Sequence, residues 1–138
     1  MKKIILIIFL LHGITGNSQQ PEKIIEFHEL SINDSFEFDD YEIKFVDVLS
    51  DNRCPKAVMC IVAGEAKVAF EVYKSGKILS KQILRFTPTV YLPNSQGNIY
   101  NSDLIKITGV ELTPYPVLDN SILKSDYRLK LVFEEILQ

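Results

Sequence analysis

The side chains best suited to chemistry in this 138-residue chain are crowded into one stretch, Asp51 to Ala66, DNRCPKAVMCIVAGEA. Both cysteines of the protein, Cys54 and Cys60, lie there with five residues between them. Two thiols at this spacing suit three chemistries: a metal site, thiol exchange, or a static cystine. A structural zinc needs about four converging Cys, His or carboxylate ligands, commonly with two residues between paired cysteines. No second cysteine pair exists, and the histidines are only His12 and His28. We therefore expect no metal and no cofactor. A redox-active pair would have two intervening residues at a helix N-terminus, where the dipole lowers the thiol pKa. Cys60 instead leads into an apolar run and a strand. A Cys54–Cys60 disulfide is the economical expectation, since it leaves no thiol over. Pro55 stiffens the start of the loop, and closing so short a loop stabilises by about 2 kcal/mol in the chain-entropy picture.

The same loop supplies the candidate partner-binding residues: Arg53, Pro55, Lys56 and Met59. Arg53 and Lys56 bracket a proline-containing turn, and a cystine would pre-organise it, lowering the entropic cost of binding. One use of such a loop is insertion into the active site of a trypsin-like protease, with Arg53 to Cys60 as the inhibitory segment. The plainer use is solvation, with Asp51, Asn52, Arg53 and Lys56 as ordinary surface residues.

Other constellations offer less. His28, in EFHEL, permits a nucleophilic triad without suggesting one, and no G-x-S-x-G elbow is present. Glu37, Asp39, Asp40 and Glu42 surround a turn and could offer oxygen ligands to calcium. Turns are commonly acidic for a local reason, because Asp accepts backbone hydrogen bonds, and the D-x-D-x-D-G pattern is absent. A domain this small leaves little room for the cleft of a paired-carboxylate glycosidase. Asn33 to Ser35 reads NDS, a glycosylation triplet that matters only in a eukaryotic secretory pathway. No catalytic residue is nominated, and the expectation is a protein that is not an enzyme.

The N-terminus MKKIILIIFLLHGITGNSQQ places Lys2 and Lys3 before an apolar run from Ile4 to Leu11, then small and polar residues. That is the layout of a secretory signal peptide. The run is well short of the roughly 20 residues that cross a bilayer as a helix. Gly16 and Ser18 suit cleavage after Ser18, which gives a signal peptide over 1–18 and a mature chain over 19–138. Removing Lys2 and Lys3 takes the 15 basic residues to 13 against 18 acidic, a net charge of −5. Such a surface does not favour nucleic acid or anionic membranes. Export to the periplasm or beyond is expected, with no integral membrane segment after cleavage and an oxidising compartment for the cysteines.

The elements that must carry the loop alternate with period two. In EAKVAFEVY, Ala66, Val68, Phe70 and Val72 share one face. In DYRLKLVFEE, Tyr127, Leu129, Leu131 and Phe133 do the same. In YEIKFVDVL the apolar phase shifts from Tyr41, Ile43 and Phe45 to Val46 and Val48, which marks a β-bulge or a passage between sheets. Weaker strands are read at 22–30, 34–38, 77–86 and 104–112, with a bulge at Gly109 in the last. The turn KSGK makes residues 66–86 a hairpin. Pro88 to Asp103 is the longest irregular stretch. Seven or eight short strands without a helical period predict one all-β domain, an antiparallel sandwich of the Ig-like or Greek-key type. Residues such as those in LTPYPVLDN often close the end of a sandwich.

The segments DNRCP, Cys60 with IVAGEAKV, LTPYP and DYRLKLVFE together resemble a motif of small exported bacterial proteins, mostly from Bacteroidetes and relatives, of unknown function. In that family a strand ends in a D-S-R-C-P-like segment, followed by a second Cys and an I-W-A-G-like segment. The likeness covers about two thirds of the mature chain by the extent of those segments. Asn52 stands where the family often has Ser, and Val62 where it often has Trp. The resemblance implies export, an all-β domain and a cystine, and transfers no activity. The leading functional expectation is a non-catalytic module of the cell envelope that binds another envelope component or protein through loops at one end of the sandwich.

Overall fold

The computed structural model describes residues 22–87 and 97–137. The segments read as the signal peptide and as most of the Pro88 to Asp103 loop lie outside the described residues. Among the described residues eight strands run in chain order: β1 Lys23–Ser31, β2 Ser35–Phe38, β3 Tyr41–Asp51, β4 Ala66–Lys74, β5 Lys77–Phe86, β6 Asn98–Asn101, β7 Ile105–Thr113 and β8 Arg128–Ile136. A 3₁₀ turn, Lys124–Asp126, precedes β8. The strands form two four-stranded antiparallel sheets, ordered β1-β8-β7-β6 and β2-β3-β4-β5. The expected all-β sandwich is the fold. Within each sheet, strands consecutive in sequence pair as a meander, and β1 with β8 is the one sequence-distant pair.

Alternation explains why the sheets face each other. The inward residues of β4 (Ala66, Val68, Phe70, Val72) and of β8 (Leu129, Leu131, Phe133) are all buried, together with Tyr127 at the mouth of β8. Ile43, Phe45 and Val48 of β3 complete the middle of one sheet, Ile107 and Leu112 of β7 that of the other. Phe133 reaches across to Phe36 and Phe38, with ring centroids 5.6 and 4.4 Å apart. The phase shift in β3 is a bulge: its register against β4 slips between Phe45 and Asp47, and again between Val48 and Ser50. The strand stays in its sheet, and the extra residues return Val48 to the core.

Gly109 sits at the register shift of β7, and a side chain there would collide with Leu84 of the opposite sheet. The β4–β5 hairpin closes through Ser75 and Gly76, both at positive φ (48° and 73°), a two-residue turn whose twist matches the strands. One strand, β6, falls inside the stretch read as irregular. Its four residues, NIYN, bury only Ile99, too short and polar a signal for alternation to show.

β3 and β4 are hydrogen-bonded neighbours, so the cysteine loop is a long hairpin connection within one sheet. In sequence, a cystine tying the exit of the Tyr41 to Leu49 strand to the entry of the Ala66 to Tyr73 strand reads as fixing a crossing; here the two strands are neighbours, and the cystine closes a connection within one sheet.

Candidate functional site

The hairpin continues beyond its strands. Asn52 N–H donates to the Glu65 carbonyl and Cys54 N–H to the Ala63 carbonyl, each at 2.9 Å. Gly64 permits this: its φ is +70°, and a Cβ there would strike the Asn52 carbonyl. Beyond this ladder the chain narrows to a tip closed by the Cys54–Cys60 disulfide, with Cα atoms 6.0 Å apart. The expected cystine is present. Lys56 N–H donates to the Pro116 carbonyl at 3.0 Å, and Lys56 forms an isolated bridge with Val117, so the tip also leans on the β7–β8 connection.

Arg53 departs from its sequence reading. Expected as a solvated residue of the binding loop, it is only 5 % exposed. Its Nε donates to Asp51 Oδ1 at 2.8 Å and its Nη2 to Asp51 Oδ2 at 2.6 Å. Nη1 donates to the Leu112 carbonyl at 2.7 Å and Nη2 to the Pro114 carbonyl at 3.0 Å. The guanidinium carbon lies 4.8 Å from the Tyr115 ring centroid. The physical reason is that β7 ends at Thr113, leaving nearby carbonyls that need donors once buried, and a guanidinium answers several acceptors at once. Asp51, also read as a solvated loop residue, is buried as its counterion. An inhibitor that worked through Arg53 would have to extract a paired, buried cation, at severe cost. Lys56 remains as the exposed cation of the loop.

Tyr127 completes the cluster by donating its hydroxyl to Asp51 Oδ2 at 3.0 Å. Burial, then the Asp51 charge, push its phenol up to about 12. Burial raises the Asp51 carboxyl, but hydrogen bonds and charge from Arg53 outweigh it and hold the group below its ordinary value. The segments DNRCP, LTPYP and DYRLKLVFE thus meet in space, through Asp51 and Arg53, Leu112 to Pro116, and Tyr127. The sequence reading missed this clamp. Its one available signal was an Asp and an Arg two residues apart at a strand end.

The tip carries the opposite surprise. Met59 is 99 %, Ile61 105 % and Val62 73 % exposed. Val58 is partly open, and Val117 and Leu118 are exposed next to the Lys56 bridge. Of the four residues assigned to a partner-binding loop, Lys56 and Met59 are exposed, Pro55 is half-buried and Arg53 is buried. Ile61 and Val62 were not nominated, because in sequence they read as the start of the next strand. That strand begins only at Ala66.

The remaining titratable groups sit elsewhere. His28 packs against Phe36 at 4.0 Å between centroids and lies 3.2 Å from Glu26. At the far end of the sandwich, Tyr41 accepts hydrogen bonds from Lys74 and Tyr100, both at 2.8 Å. Those bonds lower the Tyr41 phenol below its ordinary value and raise Lys74 and Tyr100 above theirs. Because Tyr41 and Tyr100 belong to opposite sheets, this trio is a polar clasp across the sandwich. Of the acidic turn, Asp40 accepts from Ser75 at 3.1 Å, a local use of its carboxylate. Among the described residues no three His, Cys, Asp or Glu side chains converge as a metal would require, and no helix is long and apolar enough to cross a membrane.

Comparison with family models, with curated proteins and with solved structures returned no match to this chain. The class that fold and site define is an eight-stranded sandwich bearing a cystine-closed apolar hairpin tip.

Proposed function

We propose that this chain is an exported, non-catalytic binding module of the cell envelope, periplasmic or secreted, kin to the small bacterial proteins it resembles. It engages another envelope component through the hairpin tip at residues 55–62. The observation that carries this reading is the exposure of Met59, Ile61 and Val62 on either side of Cys60, in a hairpin end held by the Cys54–Cys60 cystine and by a buried ion pair at its root. Large apolar side chains grouped on an exposed surface commonly mark an interaction site. A loop ordered in advance loses less entropy on binding. The disulfide also supports an oxidising compartment.

The test is capture from envelope extract with tagged protein recovered after export, its N-terminus read by mass spectrometry. An envelope component retained by the parent and released by the double variant Met59→Asp, Ile61→Asp is the expected result. Equal retention by both proteins sinks the assignment to the tip. A mass that retains residues 1–18, or a pair of free thiols, contradicts export with processing.

A further inference from the structure

We infer that the component met by the tip is the lipid bilayer itself, with the hairpin seated in the zwitterionic headgroup layer. The inference rests on the reading above that the tip is the binding surface, and adds the chemistry of what it binds.

From Ala57 to Gly64 the sequence AVMCIVAG holds eight consecutive residues without a charged or polar side chain, its one cysteine being closed in the disulfide. Specific protein interfaces surround an apolar centre with a polar rim whose hydrogen bonds fix orientation. From Ala57 to Gly64 the side chains offer no such bond, and polar groups appear only at the base, on Lys56 and Tyr115. A fluid apolar phase asks for none, because the hydrophobic effect is non-directional. Met59 and Ile61 are as open as free side chains, which leaves them accessible to a continuous layer.

The base of the tip has the other half of the pattern. Lys56 precedes the uncharged run, and its ammonium lies 5.6 Å from the ring centroid of Tyr115. Lysine and tyrosine combine an apolar body with a polar head and collect where hydrocarbon meets water. Leu118, 63 % exposed beyond the Val117 bridge, widens the apolar surface on the same side. Depth is limited by the backbone, since hairpin carbonyls and amides without partners cannot enter the hydrocarbon core. The insertion is therefore interfacial, about 5–10 Å.

Charge sets the lipid preference. Of the cations nearby, Arg53 is neutralised by Asp51, which leaves Lys56, and Asp119 follows Leu118. The tip has no polybasic patch, and the chain as a whole is acidic. Binding should thus be no tighter to anionic than to zwitterionic lipid. The side chains of Val58, Met59, Ile61 and Val62 hold about 14 apolar heavy atoms, comparable to one myristoyl chain, which alone binds membranes reversibly with a constant of about 10⁴ M⁻¹. That value is the ceiling here.

The orientation follows from the topology. Lys23 of β1 pairs with Ile136, whereas Ser31 pairs with Arg128, next to the tip's supporting cluster. The described chain therefore begins at the end of β1 away from the tip, about 27 Å along the strand.

The experiment is sedimentation of exported, processed protein with vesicles of phosphatidylcholine and of phosphatidylcholine mixed with phosphatidylglycerol. We expect a partition constant of about 10³–10⁴ M⁻¹ on both, little changed by salt, and at least a tenfold loss in the double variant Ile61→Asp, Val62→Asp. Both positions are exposed, and an unchanged thermal transition confirms that the variant is folded. No sedimentation of the parent, or equal sedimentation of parent and variant, overturns the inference. So does binding that requires phosphatidylglycerol and vanishes in salt. If lipid binding is absent while tip-dependent capture of a protein from envelope extract persists, the lipid inference fails and the binding-module reading stands. If neither is seen, both fail.

Discussion

The Arg53 guanidinium and the Asp51 carboxylate, two residues apart in sequence, form a buried two-point ion pair, Nε to Oδ1 at 2.8 Å and Nη2 to Oδ2 at 2.6 Å. The pair belongs to the β3–β4 hairpin, yet the same guanidinium holds the Leu112 carbonyl of the facing sheet and the Pro114 carbonyl just past the end of β7. It therefore ties the root of the exposed tip to both layers.

Truncating one member strands the other. Arg53→Ala leaves the Asp51 carboxylate without its cation and the Leu112 and Pro114 carbonyls without their guanidinium donor, and a broken buried pair costs about 3–5 kcal/mol. Arg53→Lys should rescue little, because one ammonium cannot reproduce the fork. The double replacement Asp51→Asn, Arg53→Met should cost less than the sum of its single changes, since neither charge is then left alone. Urea unfolding of the four proteins measures the coupling, and additive losses would contradict it.

The same cluster gives stability a dependence on pH at both extremes. Asp51 is held below its ordinary value of 3.8 in the folded state. Its contribution is present above that value and is lost as pH falls through the depressed folded pKa. Tyr127 is raised from 10.0 to about 12, so its contribution is present below pH 10 and is lost as pH rises toward 12. In denaturation curves collected across pH, Tyr127→Phe should flatten the alkaline limb. An unchanged slope in that variant argues against the assignment. Tyr100 and Tyr73, raised by partners other than Asp51, keep those partners in both proteins.

Opening the disulfide should weaken the protein without dissolving it. Reduction, or the variant Cys54→Ser, Cys60→Ser, removes a short closed loop worth about 2 kcal/mol. The ladder from Asn52 to Glu65 and from Cys54 to Ala63 uses backbone groups and survives. We expect a lower denaturation midpoint with an unchanged denaturant slope, and increased proteolysis confined to residues 55–62. Global unfolding on reduction at neutral pH would refute this.

Much of this architecture is legible along the chain because it is written in period two. The inward row of β4 and that of β8 alternate without interruption, and the phase slips at Phe45 and Gly109 coincide with real bulges. The cystine follows from simple supply, two thiols in an expected oxidising compartment and no second cysteine pair. Arg53 was misread because burial of an arginine depends on acceptors far away in sequence, here at Leu112 and Pro114, which no local pattern displays. The tip was misread for the converse reason. Ile61 and Val62 have strand-forming side chains, and only the pairing of Cys54 with Ala63 shows that they lie beyond the ladder. β6 escaped notice because a four-residue strand with one buried side chain has no period to read.

Two positions in the hairpin should respond oppositely to the exchange of alanine and glycine. Ala57 has φ +65° and Gly64 φ +70°, both in the left-handed region that costs a residue with a Cβ about 1–2 kcal/mol. At Ala57, which is exposed, glycine relieves that strain but loosens the unfolded chain, so Ala57→Gly should gain at most about 1 kcal/mol. At Gly64 a methyl group meets both the backbone preference and the Asn52 carbonyl. Gly64→Ala must therefore shift the Asn52 to Glu65 hydrogen bond that aligns the loop over β3 and β4, and should cost about 2 kcal/mol or more. Thermal melts give the sign of each change, and amide exchange at Asn52 and Cys54 locates it. A neutral Gly64→Ala would mean that the ladder beyond Asp51 contributes nothing to holding the tip.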